Sequence, residues 1–401
     1  MSQAFAAVKA GEESLLCRSY SRYPVAVVRG KGARLWDADG KEYVDLLAGI
    51  AVTSLGHCND EVNAALAAHA EKLWHVSNLF YQEEQLELAR LLLSTSHHQK
   101  AFFCNSGAEA NEACIKLARR YMRKVKQRDA YEIITLEGCF HGRTLGALAA
   151  TGRESLSDGF APLPEGFKQV PAGDIEAMKA AITPATAAVL VEVVQGEGGV
   201  VPLCGEYLRQ LEALCRERDV LFMCDEVQAG LARTGKFWAF QQYGLKPDAI
   251  SMAKSLANGL PMGAMLATDE VARGFEAGSH ATTFGGGALA SGVAAKVVEI
   301  LLRDKLADRA AELGEHLKRE LAAMQTRLPG KIKEVRGLGL MVGIELAVDG
   351  KPIWEELLRR GYICNLSHGI TLRLLPPLNI DKADLDGFLQ NLEDILAQIP
   401  A

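Results

Sequence analysis

Between residues 100 and 270 short apolar runs alternate with amphipathic stretches. AFFC, EIITLE, AAVLVEVV, VLFMCDEV, AISMA and GAMLAT have the length and composition of buried strands. ANEACIKLARRYMRKV and EYLRQLEALCRERD instead space their apolar residues three to four apart, the period of a helix face. This alternation predicts an α/β fold, a mostly parallel sheet covered by helices on both faces. Upstream, VAVVRGKGARLWDADGKEYVDL alternates around Asp39-Gly40, a strong hairpin signal. Past residue 288 the texture changes. A long helical pattern, ASGVAAKVVEILLRDKLADRAAELGEHLKRELAAM, precedes what reads as one Gly-rich strand, GLGLMVGIEL, and a closing helix, KADLDGFLQNLEDILAQ. The predicted division is a large domain at 46–287 and a smaller α+β domain at 288–401, which the N-terminal segment 1–45 joins.

Composition narrows the function classes. The 401 residues are 49% apolar and 23% charged, ordinary for a globular protein. A net charge of −6 leaves no electrostatic footprint for nucleic acid or an anionic membrane. The opening MSQAFAAVKAGEES lacks a basic stretch followed by an apolar one, so no secretory signal is expected, and no apolar run has the length of a membrane span. The nine cysteines are odd in number and never spaced C-x-x-C, and Cys104 and Cys224 end apolar runs. Reduced thiols in a cytoplasmic protein are therefore expected, with neither a disulfide framework nor a metal site.

Five stretches carry candidate chemistry. In CNSGAEANEACIKLARR, Ser106 and Glu109 have capping-box spacing, and Gly107 and Ala108 are small enough for an anion to approach the helix N-terminus. A plain capped helix has the same signature. In LFMCDEVQAG, Asp225 and Glu226 fall at the carboxyl end of a strand, the edge where open α/β sheets bind ligands. A carboxylate there can hold a metal, orient water or pair with a protonated ring nitrogen; a solvated strand end would look alike. FHGR offers Phe140 for stacking and Arg143 for gripping a carboxylate, against a core phenylalanine and a surface charge. SHATTFGGG places Thr282 and Thr283 before glycines that admit an anion, or that make a flexible linker.

In AISMAKSLANGLPMGAMLAT, Lys254 is the lone charge between residues 249 and 268. Burying an ammonium is costly, so Lys254 either reaches the surface from a core strand or is desolvated for chemistry. A desolvated lysine has a lowered pKa and adds readily to an aldehyde. It lies one predicted strand beyond Asp225, at the same sheet edge. Two further motifs mislead. GLARTGKF, at 230–237, matches G-x-x-x-x-G-K but puts Phe237 where a P-loop needs Ser or Thr, which argues against a P-loop NTPase. GLGLMVG, at 337–343, resembles a dinucleotide fingerprint, but a strand pattern follows where a helix belongs.

A phosphate cradle, an acid for a ring nitrogen, a stacking aromatic and a lysine for an aldehyde together describe a pyridoxal 5'-phosphate site. With NSGAEANEA, FHGRT, DEVQ-G--RTGK and AK-L-NGLP-GA at this spacing, the chain resembles the class III (ω-amino acid) aminotransferases of fold type I. Within that class it is most similar to the acetylornithine aminotransferases, from RYPVAVVRGKGARLWDADGKEYVDLLAGIAVTSLGH to RLLPPL. The resemblance implies that Lys254 carries the cofactor as a Schiff base and then shuttles a proton, while Asp225, beside Glu226, pairs with the ring nitrogen. It implies Gln228 at the ring hydroxyl, Val227 and Phe140 on the ring faces, and Gly107 and Ala108 at the phosphate. Thr283 is implied to reach the phosphate of the other subunit, hence a homodimer. Arg143 is implied to hold the substrate α-carboxylate, with Thr282 nearby and Tyr20 on the substrate side. Glu197 is implied to pair with Arg373 and to release it when glutamate binds.

The implied reaction moves the δ-amino group of N-acetylornithine to 2-oxoglutarate in arginine biosynthesis. Succinylornithine, ornithine, 4-aminobutyrate and N-succinyl-diaminopimelate are the neighbouring donors. His141, where ornithine-specific relatives have Trp, favours an acylated donor. The chain departs from the family in Ala281-Thr282-Thr283-Phe284-Gly285-Gly286-Gly287-Ala288, where Gly-Ser before Thr-Phe-Gly-Gly-Asn-Pro is usual.

Overall fold

Asp37 turns the chain at Asp39-Gly40. Its carboxylate accepts the N–H groups of Asp39 and Lys41, each at 2.9 Å. The computed structural model describes residues 3–399. In it β1 (Val27–Lys31), β2 (Arg34–Asp37) and β3 (Glu42–Asp45) form an antiparallel sheet next to the N-terminal helix Gln3–Leu15.

The large sheet follows. Its strands are β4 (Lys100–Cys104), β5 (Glu132–Leu136), β6 (Phe167–Val170) and β7 (Thr186–Val191), then, after a short hairpin of β8 (Val194–Gln195) and β9 (Val201–Pro202), β10 (Leu221–Asp225), β11 (Ala249–Met252) and β12 (Gly263–Ala267). The seven run in the order β4-β12-β11-β10-β7-β5-β6, and β12 alone is antiparallel to its neighbours. Every residue of β7, β10, β11 and β12 is buried, as continuous apolar runs between two helical layers must be. In β10 the pleat sends Leu221 and Met223 toward Ala113 and Leu117 of helix Gly107–Lys124. Phe222 and Cys224 point the other way, toward Leu208 and Leu211 of helix Gly205–Glu217. The edge strand β6 was not among the predicted strands, because FKQV buries only Val170.

The C-terminal third corrects two expectations. The long helical pattern is two helices, Ala288–Arg303 and Leu306–Arg327, broken at Lys305, whose φ is +50°. The first packs on helices Asp60–Lys72 and Glu83–Leu93, and the second on the strand Ile332–Leu338 and the closing helix Lys382–Gln398. GLGLMVGIEL is not one strand but most of a hairpin. β13 (Ile332–Leu338) turns at Gly339, φ +53°, into β14 (Met341–Leu346). Then come β15 (Tyr362–Ile363), β16 (Asn365–Ser367) and β17 (Thr371–Leu374), with β17 between β14 and β16. β15 pairs in parallel with β3, which ties the N-terminal sheet to the C-terminal region.

Candidate active site

β4, β10 and β11 all end at one edge of the large sheet, and β12 begins there. A cavity of about 400 Å³ lies across that edge. At one end Ser106 caps helix Gly107–Lys124, its Oγ accepting the Glu109 N–H at 3.2 Å. Glu109 reaches back to the N–H of Asn105 at 2.6 Å, one residue earlier than in the standard capping box. The first-turn N–H groups of Gly107 and Ala108 have no acceptor within the helix and lie at its positive end. A Cβ on Gly107 would stand 2.7 Å from Val227 Cγ1, so only glycine lets this turn close on the residues after β10.

Asp225, the last residue of β10, is buried. Its Oδ2 accepts the Asn111 Nδ2–H at 2.7 Å and pairs with His141 Nδ1 at 2.8 Å, while Oδ1 accepts the Val227 N–H at 2.9 Å. Burial alone would raise its pKa. The His141 imidazole and these hydrogen bonds outweigh burial and hold the carboxyl below its ordinary value. Asn111 is itself fixed, its Oδ1 accepting from Ser251 Oγ at 2.6 Å.

One strand over, Lys254 opens a short 3₁₀ turn, Lys254–Ala257, with φ +41°. It lines the cavity, and among the described residues its Nζ has no hydrogen-bond or ion-pair partner. Burial lowers its pKa, against the opposing pull of Asp225, Glu197 and Glu192. It is an amine that loses its proton more readily than a surface lysine does.

Two arginines stand in different states. Arg373 donates from Nη1 to Glu197 Oε1 at 2.6 Å and to the Gly196 carbonyl at 3.2 Å, and from Nε to Asn365 Oδ1 at 3.1 Å. Burial would raise the Glu197 pKa, but the Arg373 charge prevails and lowers it. The β8–β9 hairpin carries Glu197 at its tip. Arg143 is exposed at the mouth, its guanidinium 5.7 Å from the Phe140 ring centre, and makes no ion pair among the described residues.

A strand-end lysine and carboxylate, a helix N-terminus, a free arginine and a glutamate paired with a second arginine thus share a cavity. The aminotransferase class-III family matches residues 16–396. The chain belongs to that family. The acetylornithine aminotransferase of Methanocaldococcus jannaschii is 45% identical over 383 residues, 95% of either chain. That of Myxococcus xanthus is 46% identical over 372 residues, 92% of this chain and 93% of its own. The solved ornithine aminotransferase of Toxoplasma gondii has a TM-score of 0.95 at 32% identity, covering 99% of this chain and 96% of that one.

Class-III aminotransferases depend on pyridoxal phosphate, and the residues present fit it. Lys254 stands unpaired, and His141 Nε2 and Gln228 Oε1 are buried at the cavity without a partner among the described residues. Of the predicted positions, the structure brings Gly107, Ala108, Phe140, Arg143, Glu197, Asp225, Val227, Gln228 and Lys254 into this aminotransferase cavity, with Arg373 behind Glu197. Thr282 lies next to it, its Oγ1 accepting from Asn105 Nδ2 at 3.0 Å.

Three predicted positions are elsewhere. Glu226 is corrected outright. Following Asp225 directly, it faces away, and its carboxylate accepts the N–H groups of Ala239 and Phe240, each at 2.8 Å. Burial pushes its pKa up to about 8. Tyr20, under the Arg22 guanidinium, and Thr283 are both exposed outside the cavity of their own chain.

Asn111, Glu192 and Tyr23 were not among the predicted positions. Asn111 sits one turn past Gly107 on the same helix face, and that spacing could have found it. Glu192 follows β7 just as Asp225 ends β10, and was hidden inside AAVLVEVV. Its carboxylate accepts the Phe140 N–H at 2.9 Å and the Gly196 N–H at 3.2 Å, and burial pushes its pKa up to about 7. Tyr23 reaches the arginine pair through Asn365, whose Nδ2 donates to its hydroxyl at 2.9 Å.

Proposed function

We propose that this class-III aminotransferase transfers the δ-amino group of N2-acetyl-L-ornithine to 2-oxoglutarate, giving N-acetyl-L-glutamate 5-semialdehyde and L-glutamate, a step of arginine biosynthesis. The observation that carries the reading is the unequal state of the two arginines. With Arg373 held by Glu197, only Arg143 is free for a carboxylate, and it stands at the cavity mouth. That suits a donor whose carboxylate is remote from the amine that reacts. Glutamate carries its carboxylate beside the reacting amine and needs Arg373 instead, so Glu197 must let go between the two halves of the cycle. The 45% identity to an acetylornithine aminotransferase supports the same donor.

Pyridoxal phosphate, when bound, supplies an aldehyde that captures the amino group and a ring that takes up the electron pair of the substrate carbon. Gly107 and Ala108 would hold its phosphate, and Phe140 and Val227 the faces of its ring. Asp225, kept ionised by His141 and Asn111, holds a proton on the ring nitrogen. Lys254 Nζ, with no competing partner, takes up and returns the proton at the substrate carbon. Glu192 fixes the main chain of Phe140 to that of Gly196, so the stacking loop and the hairpin bearing Glu197 keep one spacing.

The working unit proposed is a homodimer. Trp74, Leu79, Phe80, Tyr81 and Phe284 expose a large apolar surface, and Asn78 joins its two loops by donating to the carbonyls of Thr282 and Gly285. Thr283 lies on that surface, consistent with service to the phosphate of the other subunit, and Tyr20 is assigned to the substrate side of the assembled site. No helix among the described residues is long and apolar enough to cross a membrane; the proposed setting is the cytoplasm.

Comparing kcat/KM over a panel of ω-amino donors tests the substrate. N-acetylornithine is expected to exceed ornithine and 4-aminobutyrate by at least about tenfold, the discrimination a carboxylate or acyl contact supplies. Preference for 4-aminobutyrate or free ornithine would overturn the assignment. N-succinylornithine shares the α-carboxylate and δ-amine, and is the second donor the Arg143 geometry accepts.

A further inference from the structure

Arg233 lies in GLARTGKF, the stretch that imitates a phosphate loop, and the reaction derived above leaves it without a task. It is fully buried, yet among the described residues it meets no carboxylate. Nη1 donates to the carbonyls of Leu340 at 3.1 Å and Pro376 at 2.5 Å, and Nη2 donates to Ser54 Oγ at 3.0 Å. Nε has no partner among the described residues. Burial pushes its pKa down to about 9. A buried cation without a counter-charge is an expensive way to pack two domains together, because apolar residues of similar volume would do it better.

The value of the guanidinium lies in what its rigid fork joins. Pro376 follows closely on β17, the strand that carries Arg373, and Leu340 sits at the tip of the β13–β14 hairpin. The other branch runs toward the reacting amine. Ser54 Oγ lies 2.6 Å from Ser255 Oγ, Ser255 directly follows Lys254, and its hydroxyl donates to the Ala51 carbonyl at 2.9 Å. Ser54 is also held from the small domain, its carbonyl accepting the Leu378 N–H at 2.7 Å. One planar group therefore spans the element that grips the glutamate carboxylate and the turn that presents the amine.

We infer that Arg233 is a positioning residue that sets the distance between Arg373 and Lys254, through Pro376 on one side and Ser54–Ser255 on the other. The inference rests on the aminotransferase reading of the cavity. Lysine would keep the charge but not the fork, and could not serve the three acceptors from one plane.

Two variants of the holoenzyme test it, each followed by thermal unfolding, by the pH midpoint of the cofactor's visible absorbance and by separate half-reactions. Ser54→Ala leaves the arginine and both its carbonyls, and cuts only the branch to Ser255. It is expected to move the absorbance midpoint and to slow both half-reactions about tenfold, as a small misplacement of a reacting group does, with KM little changed. Arg233→Lys is expected in addition to raise KM for glutamate and 2-oxoglutarate about tenfold, with a smaller change for the ω-amino donor that Arg143 holds. If both variants lower the melting temperature while absorbance midpoint and kinetic constants match the wild type, Arg233 is a brace only and the inference falls. If Arg233→Lys does not fold, the midpoint of Ser54→Ala decides alone. The midpoint and the glutamate half-reaction need no N-acetylornithine. A wild type that rejects that donor would therefore overturn the substrate assignment and leave this inference to its own measurement.

Discussion

Lys254 has a φ of +41°, a region that non-glycine side chains seldom occupy. The strain sits where the amine must stand clear of its own strand, between the carboxylate of Asp225 and the open cavity. Replacing it with alanine is expected to abolish turnover and the pH-dependent shift of the cofactor's visible absorbance; an active Lys254→Ala protein that keeps this shift would remove the amine from the reaction. Arg143→Ala should raise KM for the ω-amino donor by about tenfold or more while sparing 2-oxoglutarate, because a truncated carboxylate grip removes binding to one substrate only. Equal effects on both substrates would reassign it. Lys254 and Asp225 were legible because each breaks a pattern, a charge in an apolar stretch and an acid closing an apolar strand. Glu226 misled because neighbours in sequence at a strand end face opposite ways. Asn111 and His141 act on Asp225 from other elements, and such long-range pairing is written only in the folded chain.

Secondary-structure elements were legible where burial was two-sided and ambiguous where the main chain turns without a breaker residue. β10 and β11 declare themselves as unbroken apolar runs, whereas β6 has one buried residue and no period to detect. The break at Lys305 carries no glycine or proline, so helical spacing runs through it. That residue is exposed and left-handed, with φ +50°. Lys305→Gly is therefore expected to raise the urea midpoint, by about 1 kcal/mol of relieved backbone strain. An unchanged or lower midpoint would show that the lysine holds this angle at no cost. The segment Ala48–Ala51 has positive φ at all four residues, Ile50 included. Asp45 caps it through the N–H groups of Leu47 and Ala48 at 2.9 Å, and Ser255 holds its far end at Ala51. Nothing in AGIA announces such a turn. Its cause is tertiary.

Across the whole molecule the charges add a pH dependence, and the exposed apolar loops put the proposed homodimer to the test. His98 is buried, its ring nitrogen donating to the Pro247 carbonyl at 2.9 Å, and burial, aided by His97, pushes its pKa down to about 3. Between that value and the ordinary 6.5 the unfolded chain binds a proton that the native one refuses, so stability falls as pH drops through this window. His98→Gln should flatten that fall, read as urea midpoints near neutrality and in mild acid. Parallel curves for the two proteins would exclude His98 as a cause. Phe80→Asp, on the exposed apolar surface, should yield monomers by sedimentation and lower activity together if the proposed homodimer shares its sites through Thr283. A fully active monomer would contradict the shared site.

The reversed strand β12 bears on how this protein can change over time. It starts at Gly263, where a Cβ would lie 2.4 Å from the Ser106 carbonyl oxygen, and its neighbour β11 ends at Met252. The segment that presents the reactive amine is thus held at both ends by adjacent strands, and Ala253, Lys254, Gly259, Leu260, Pro261 and Met262 line the cavity, so added residues would crowd the site itself. Loops at the β6 side of the sheet, far from the cavity, can lengthen or shorten in descendants of this gene. The stretch from 253 to 262 is closed to that kind of innovation, and new donor preferences must arise by exchanging side chains around a peptide of constant length.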